Sequence, residues 1–262
     1  MTHPLVIKIS NILAYVFLLS ANIYSGLEGD KSGSPYHNSH ETYITPAPFV
    51  FGVWGLIHLL FGGFVIYQFW DSANEVVVKV VHWHFVIIAL LNTLWLTLWE
   101  HDYLILATIV VLFISGQISF VYHVLQKASF IPRNWADKLF IHAPFSLYHA
   151  WIVVILVLSI FAAVTPEKTD EGPILIVKIV VVIALFILKG LSIAYIEGFD
   201  SDIAGSIVIA WTLIGIFVEQ QDPIIHWISL VLAILSIFHI VKGIYVLYRK
   251  SRSSGEHASL NP

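Results

Sequence analysis

Four polar residues capable of chemistry fall inside long apolar runs: His58, His149, His239 and Asn92. A neutral imidazole can ligate haem iron or another metal, or it can hold a neighbouring helix through one hydrogen bond. No His-Glu-x-x-His pair or histidine box accompanies them, so interhelical bonding is the simpler reading and metal ligation the sharper one. His142 and His149 lie two turns apart on one face, too far to chelate a single ion, and His82 and His84 read as interfacial. Asn92 precedes Trp95 by one turn on the same face and needs a partner, either another helix or a bound ligand. Carboxylates avoid the middle of these runs: Glu100, Asp102, Glu197, Asp200, Asp202, Glu219 and Asp222 all sit at their ends. That distribution argues against a proton-coupled relay and against a retinal Schiff base with a carboxylate counter-ion. The chain has no cysteine, which removes disulfides, thiolate metal sites and cysteine nucleophiles.

Tryptophan carries the second signal, with nine residues in a chain that is 14% aromatic. Trp70, Trp99, Trp135 and Trp227 fall at run ends or in loops, where an interfacial belt accounts for them, and Trp83 is close to an interface. Trp54, Trp95, Trp151 and Trp211 are deeper. If Tyr148 and Trp151 approach Asn92 and Trp95, an aromatic cavity with a few polar groups results. Tight interhelical packing is the alternative, and periodicity does not choose between them.

The elements that must position these residues are membrane helices. Of 262 residues, 58% are hydrophobic and 11% charged, with mean hydropathy +0.84; soluble domains carry about 25% charged residues. Taking about 20 apolar residues per crossing, the chain divides into eight spans near 5–26, 47–70, 77–99, 103–126, 139–164, 173–195, 203–220 and 223–248. Short connections leave one all-α helical bundle, and continuous apolar runs such as Ile179 to Leu188 exclude alternating barrel strands. The first span is expected to be retained, since no small-x-small cleavage site follows it. With eight spans both termini share a side, and on it fall Lys8, Lys79, Lys127, Arg133, Lys138, Arg249, Lys250 and Arg252, against Lys31 and Lys168 opposite. This bias predicts cytoplasmic termini, with the plasma membrane as default and an organelle membrane as alternative. Lys178, Lys189 and Lys242 lie within spans, near enough to the ends to snorkel. The net charge of −4 leaves no basic surface for nucleic acid; membrane lipids are the surrounding partner. The polar segment 27–45 reads as a lid or loose loop and 251–262 as a disordered tail. Gly52, Gly55, Gly62 and Gly63 permit close helix approach, so a homodimer is feasible. No internal repeat supports an inverted-repeat transporter.

Three stretches, in order, resemble the TspO/MBR family, the tryptophan-rich sensory proteins related to the translocator protein. Thr45-Pro46-Ala47-Pro48-Phe49-Val50-Phe51-Gly52-Val53-Trp54 is similar to that family's Pro-rich entry into its second helix. Leu91-Asn92-Thr93-Leu94-Trp95 matches a Leu-Asn-x-x-Trp in the third helix, and Pro144-Phe145-Ser146-Leu147-Tyr148-His149-Ala150-Trp151 resembles the fifth-helix region of longer members. The resemblance implies a five-helix TspO-like domain over 1–165, a three-helix extension over 166–250 and the tail. It also implies binding of a flat hydrophobic ligand, foremost a porphyrin or haem, between the helices, for sensing, handling or transport. Lipid or sterol are further partners of this kind, although the family's sterol motif at the end of the fifth helix is missing here. No cofactor is required; haem or porphyrin would be a ligand. Carried over position by position, Trp54, Asn92, Trp95, Tyr148 and Trp151 become pocket residues under a lid at 27–45, and Pro46 and Pro48 shape its entry. His58 and His149 complete the candidate ligand-binding set, and no catalytic or metal residue is assigned. One residue fewer separates Phe51 from Trp54 than in the Phe-Gly-Pro-Val-Trp form, which turns the indole by about 100° relative to the phenyl ring. Two alternatives stand beside this: a transporter of small apolar molecules, and a membrane enzyme that degrades porphyrin oxidatively with Trp54 and Trp151 as the redox pair. No acid, base and nucleophile set supports enzyme chemistry independently.

Overall fold

Apolar runs without carboxylates can satisfy their backbone in lipid only as helices or closed barrels, and every regular element among the described residues is helical. The computed structural model describes residues 3–28, 35–36, 40–127, 130–198 and 202–258. In order these form α1 (Pro4–Glu28), a 3₁₀ turn (Pro48–Phe51), α2 (Gly52–Tyr67), α3 (Asp71–Val76) continued by a π turn (Val77–Val81), and α4 (His84–Glu100). There follow α5 (Leu104–Leu125), α6 (Trp135–Asp137) with a π turn (Lys138–His142), α7 (Ala143–Val164), α8 (Leu175–Gly198), α9 (Ile203–Glu219) and α10 (Pro223–Ala258).

Six of these segments are long and apolar enough to cross a bilayer, and α3 with α4 makes a seventh if the bent pair is one span. The protein is therefore an integral, multi-pass helical bundle. The run expected to span from residue 77 divides instead: 71–81 and 84–100 are bent by 62° at a break where His82 takes φ 39°. Asp71, Glu75 and Lys79, with an i,i+4 ion pair of 2.9 Å between Lys79 and Glu75, give 71–81 a charged face opposite its buried valines, so it is an amphipathic helix and not the apolar start of a span. α9 has 17 residues, about 25 Å of helix, somewhat less than the about 30 Å of hydrocarbon. α10 stays helical to Ala258, into the segment composition assigns to a tail, and 259–262 lie outside the described residues.

Punctuation is local. Asp202 caps α9 by accepting from the Gly205 N–H at 3.2 Å, and Asp222 does the same for α10 from Ile224 and Ile225. Pro48, Pro144 and Pro223 stand in first turns, where a missing N–H costs nothing. α7 is the central helix, packed on α2, α5 and α9, while α8 and α10 flank α9. Gly62 and Gly63 serve contacts within the chain: a Cβ would lie 2.7 Å from the Tyr15 hydroxyl and 2.4 Å from the Phe140 ring, respectively. Gly52 and Gly55 face open space. Lys189 does not snorkel; it is buried, and its Nζ donates to the Leu235 carbonyl at 3.3 Å beside His239 Nδ1 at 3.2 Å.

At one end of the bundle, the loop end, residues 40–47 meet the connections after α4, α7 and α9. His40 reaches Asp102 at 2.8 Å and Glu167 at 3.4 Å, and Lys168 bridges Glu41 and Glu219 at 2.5 and 3.2 Å. Burial works against the Lys168 charge, but the two carboxylates outweigh it and raise its pKa above the ordinary lysine value. At the opposite end Asp137 accepts from the Tyr67 hydroxyl and the Arg133 N–H, each at 2.9 Å.

Candidate functional aromatic site

The deep tryptophans converge. Trp54 on α2 stacks on Trp95 of α4 with ring centroids 5.3 Å apart and planes at 30°, and meets Trp151 of α7 edge-to-face at 5.8 Å. Phe51, in the 3₁₀ turn, also stands edge-on to Trp151 at 5.5 Å. Three residues turn an α-helix by about 300°, so Phe51 at the end of the 3₁₀ turn and Trp54 in the first turn of α2 lie about 60° apart and reach the same ring despite the shorter spacing. Trp211, midway along α9, lies apart from the cluster, 39% exposed and edge-on to Phe49.

Asn92 and Tyr148 stand one turn before Trp95 and Trp151 on the same helices. Asn92 Oδ1 accepts from Asn22 Nδ2 at 3.1 Å, and its Nδ2 lies 3.5 Å from the Tyr148 hydroxyl, which links α1, α4 and α7. Tyr148 in turn packs edge-on to Phe61 at 5.4 Å. Pro48 opens the 3₁₀ turn, as an entry-shaping residue would. His58 bonds its own helix through one ring nitrogen, with Nδ1 2.8 Å from the Trp54 carbonyl. His149 faces elsewhere: Nδ1 hydrogen-bonds the Tyr195 hydroxyl at 2.6 Å, Nε2 the Ser119 hydroxyl at 3.1 Å, and its ring stacks on Tyr122 at 4.3 Å. The cause is helix geometry. Position 149 is turned about 100° from Tyr148 and about 200° from Trp151.

Sequence reasoning missed two members. Trp99, assigned to an interfacial belt, is buried; it packs on Trp95 at 6.0 Å and donates its indole N–H to the Pro35 carbonyl at 3.0 Å. Its signal was the i,i+4 spacing from Trp95, which places both indoles on one face. Tyr36 had none. It is wholly buried between Trp99 at 4.5 Å and Phe51 at 5.7 Å, with its hydroxyl 3.0 Å from Ser159, and burial pushes its pKa well above the ordinary tyrosine value. Pro35, Tyr36 and His40, which edges Trp99 at 5.5 Å, thus cover the cluster at the loop end. The rest of the expected lid, 29–34 and 37–39, lies outside the described residues.

The arrangement has one chemical anomaly. The indole N–H groups of Trp54, Trp95 and Trp151 are buried and find no acceptor among the described residues. A buried donor left unpaired costs about 1–3 kcal/mol, and here three share one cluster. Among the described residues no group of three or more His, Asp or Glu could hold a metal ion.

Residues 8–242 match the TSPO-like protein family. The chain belongs to that family. The match runs through α8, α9 and most of α10, so the C-terminal helices lie within the family region. No curated protein and no solved structure matches the chain.

Proposed function

We propose that this TSPO-like protein binds a flat, largely apolar ligand with hydrogen-bond acceptors between α2, α4 and α7, and that a tetrapyrrole, porphyrin or haem, is the class it takes. The observation that carries this is the trio of mutually packed indoles with unpaired N–H groups. Their faces suit a planar macrocycle, and their N–H groups supply donors to an acceptor that water cannot reach. The rings now fill one another's faces, so entry requires Trp54 to part from Trp95 and Trp151. The family membership supports the same ligand class. Sensing, handling and transport all begin with this binding step. We assign the 1–165 and 166–250 division and eight crossings to the same reading, with cytoplasmic termini, so that the loop end faces away from the cytoplasm.

Titration of the detergent-purified protein with protoporphyrin IX and haemin, followed by absorbance and tryptophan quenching, tests it. Saturable micromolar binding that weakens about tenfold in Trp54→Phe and Trp151→Phe, and less in Asn92→Ala, is expected for loss of one donor each. His149 has both ring nitrogens engaged, whereas His58, whose Nδ1 donates to the Trp54 carbonyl, keeps Nε2 for a metal; any preference for haemin over protoporphyrin IX should therefore vanish in His58→Ala. Non-saturable partitioning that is identical in every variant would overturn the proposal.

A further inference from the structure

The C-terminal helices reach the aromatic site where α9 meets the chain entering α2. Gly215 accepts a hydrogen bond at its carbonyl from the Ala47 N–H at 3.0 Å. A Cβ on Gly215 would stand 2.1 Å from Val50 Cγ2 and 3.1 Å from Pro46 Cβ, so the α9 backbone lies against the 3₁₀ turn more closely than any side chain allows. One turn earlier, Trp211 meets Phe49 edge-on at 5.1 Å. At the C-cap of α9, Gln220 Nε2 donates to the Thr45 carbonyl at 2.7 Å and the Thr42 carbonyl at 3.3 Å, with the residue 1% exposed. All these contacts fall on residues 42–50, and the next residues along the chain bring Phe51 and Trp54 to Trp151.

The far end of α9 is braced. Asp202, its N-cap, accepts from the Tyr122 hydroxyl of α5 at 2.6 Å and the Ser146 hydroxyl of α7 at 2.5 Å. Gly205 completes the brace: a Cβ there would lie 2.5 Å from the Tyr195 ring of α8. A helix fixed at one end and bonded to a short irregular segment at the other restrains that segment. The other walls, α4 and α7, are continuous helices packed along α5, which leaves the 42–51 segment as the wall that can move with the least loss of structure.

We propose that α9 is the gate bar of the aromatic site: ligand entry and exit require residues 42–50 to release Gly215 and Gln220, so that Phe51 and Trp54 can swing away from Trp151 and Trp95. This role rests on the ligand reading above and gives the extension a function in it.

A gate changes both rates, whereas a contact with the bound ligand changes dissociation alone. Stopped-flow quenching of tryptophan fluorescence by protoporphyrin IX should show association and dissociation both about fivefold faster in Gln220→Ala, with Kd within about threefold of the unaltered protein. Trp211→Ala should move both rates the same way by less, and it asks the same question on a half-exposed residue should Gln220→Ala fail to fold. Ile207→Ala, a lipid-facing change on the same helix, should leave both rates unchanged. Hydrogen exchange at the Ala47 amide should accelerate in Gln220→Ala. Saturable binding with unaltered rates in both Gln220→Ala and Trp211→Ala, or faster dissociation alone, overturns the gate and leaves the binding site standing. Non-saturable quenching by the unaltered protein overturns the ligand reading and the gate with it.

Discussion

At the scale of single residues, two kinds of tryptophan share one cluster, and they differ by one hydrogen bond. Trp95, Trp151 and Trp99 are all buried, yet only Trp99 has an acceptor for its N–H, the Pro35 carbonyl. Replacing any of them by phenylalanine removes similar ring volume, so the cavity cost is common to the set. What differs is the N–H: its loss relieves an unpaired donor at Trp95 and Trp151, but breaks a bond at Trp99. Thermal unfolding in detergent should therefore rank Trp99→Phe below Trp95→Phe and Trp151→Phe by about 1–2 kcal/mol. Equal losses would mean that the two indoles are paired after all. Ligand affinity should rank the other way, because only the unpaired donors are available to a ligand. Trp54, Trp95 and Trp151 were legible in the sequence because each sits in a motif within an apolar run. Tyr36 was not, since nothing in a polar loop marks which side chain turns inward.

Elements were legible wherever the run of apolar residues was unbroken, as in α5, α8 and α10. The bend at His82 was not, because Val76–Val78 and Val80–Val81 read as the start of a span although Val76, Val77, Val80 and Val81 form the buried face of an amphipathic helix whose other face carries Glu75 and Lys79. Close helix contacts were legible only in part. The glycine content of α2 suggested close approach, but which glycines are used follows from neighbours distant in sequence. Gly63→Ala drives a Cβ to 2.4 Å from the Phe140 ring and should cost about 1–3 kcal/mol, whereas Gly55→Ala meets nothing within 4 Å and should be neutral or slightly stabilising through helix propensity. Unfolding midpoints of the two variants check this, and equal effects would contradict the packing of α2 on the π turn before α7. A second test concerns the join of α8 to α10. Burial of Asp222 opposes its charge, but the Lys178 ammonium at 2.7 Å and two backbone N–H groups prevail and hold its pKa below the ordinary 3.8. Its contribution is thus present above that value and lost as pH falls through the lower folded value. Asp222→Asn should destabilise at neutral pH, and the gap should close as pH drops below 3.8; a gap that is constant with pH would remove the ion pair from the account.

For the whole molecule, the decisive element is α9, whose 17 residues leave the number of crossings to be fixed by its ends. Its N-cap Asp202 bonds Tyr122 at the C-terminal end of α5, while its C-cap Gln220 bonds Thr42 and Thr45 at the loop end. The two termini of α9 therefore sit at opposite ends of the bundle, as the proposed eight crossings require. If it crosses, bilayer thinning would have to take up the few ångströms by which it falls short of the hydrocarbon thickness. The asymmetry of Lys and Arg points the same way, since it separates cleanly only if α9 counts as a span. Because the chain has no cysteine, single cysteines at Lys127, Asp170 and Arg252 can be labelled with a membrane-impermeant maleimide without background. Lys127→Cys and Arg252→Cys should react only after the membrane is opened, and Asp170→Cys in intact cells. If α9 does not cross, the chain emerges inverted and Arg252→Cys reacts from outside with Asp170→Cys. That outcome would also detach Gln220 from the loop end, and with it the bar that α9 places across the aromatic site.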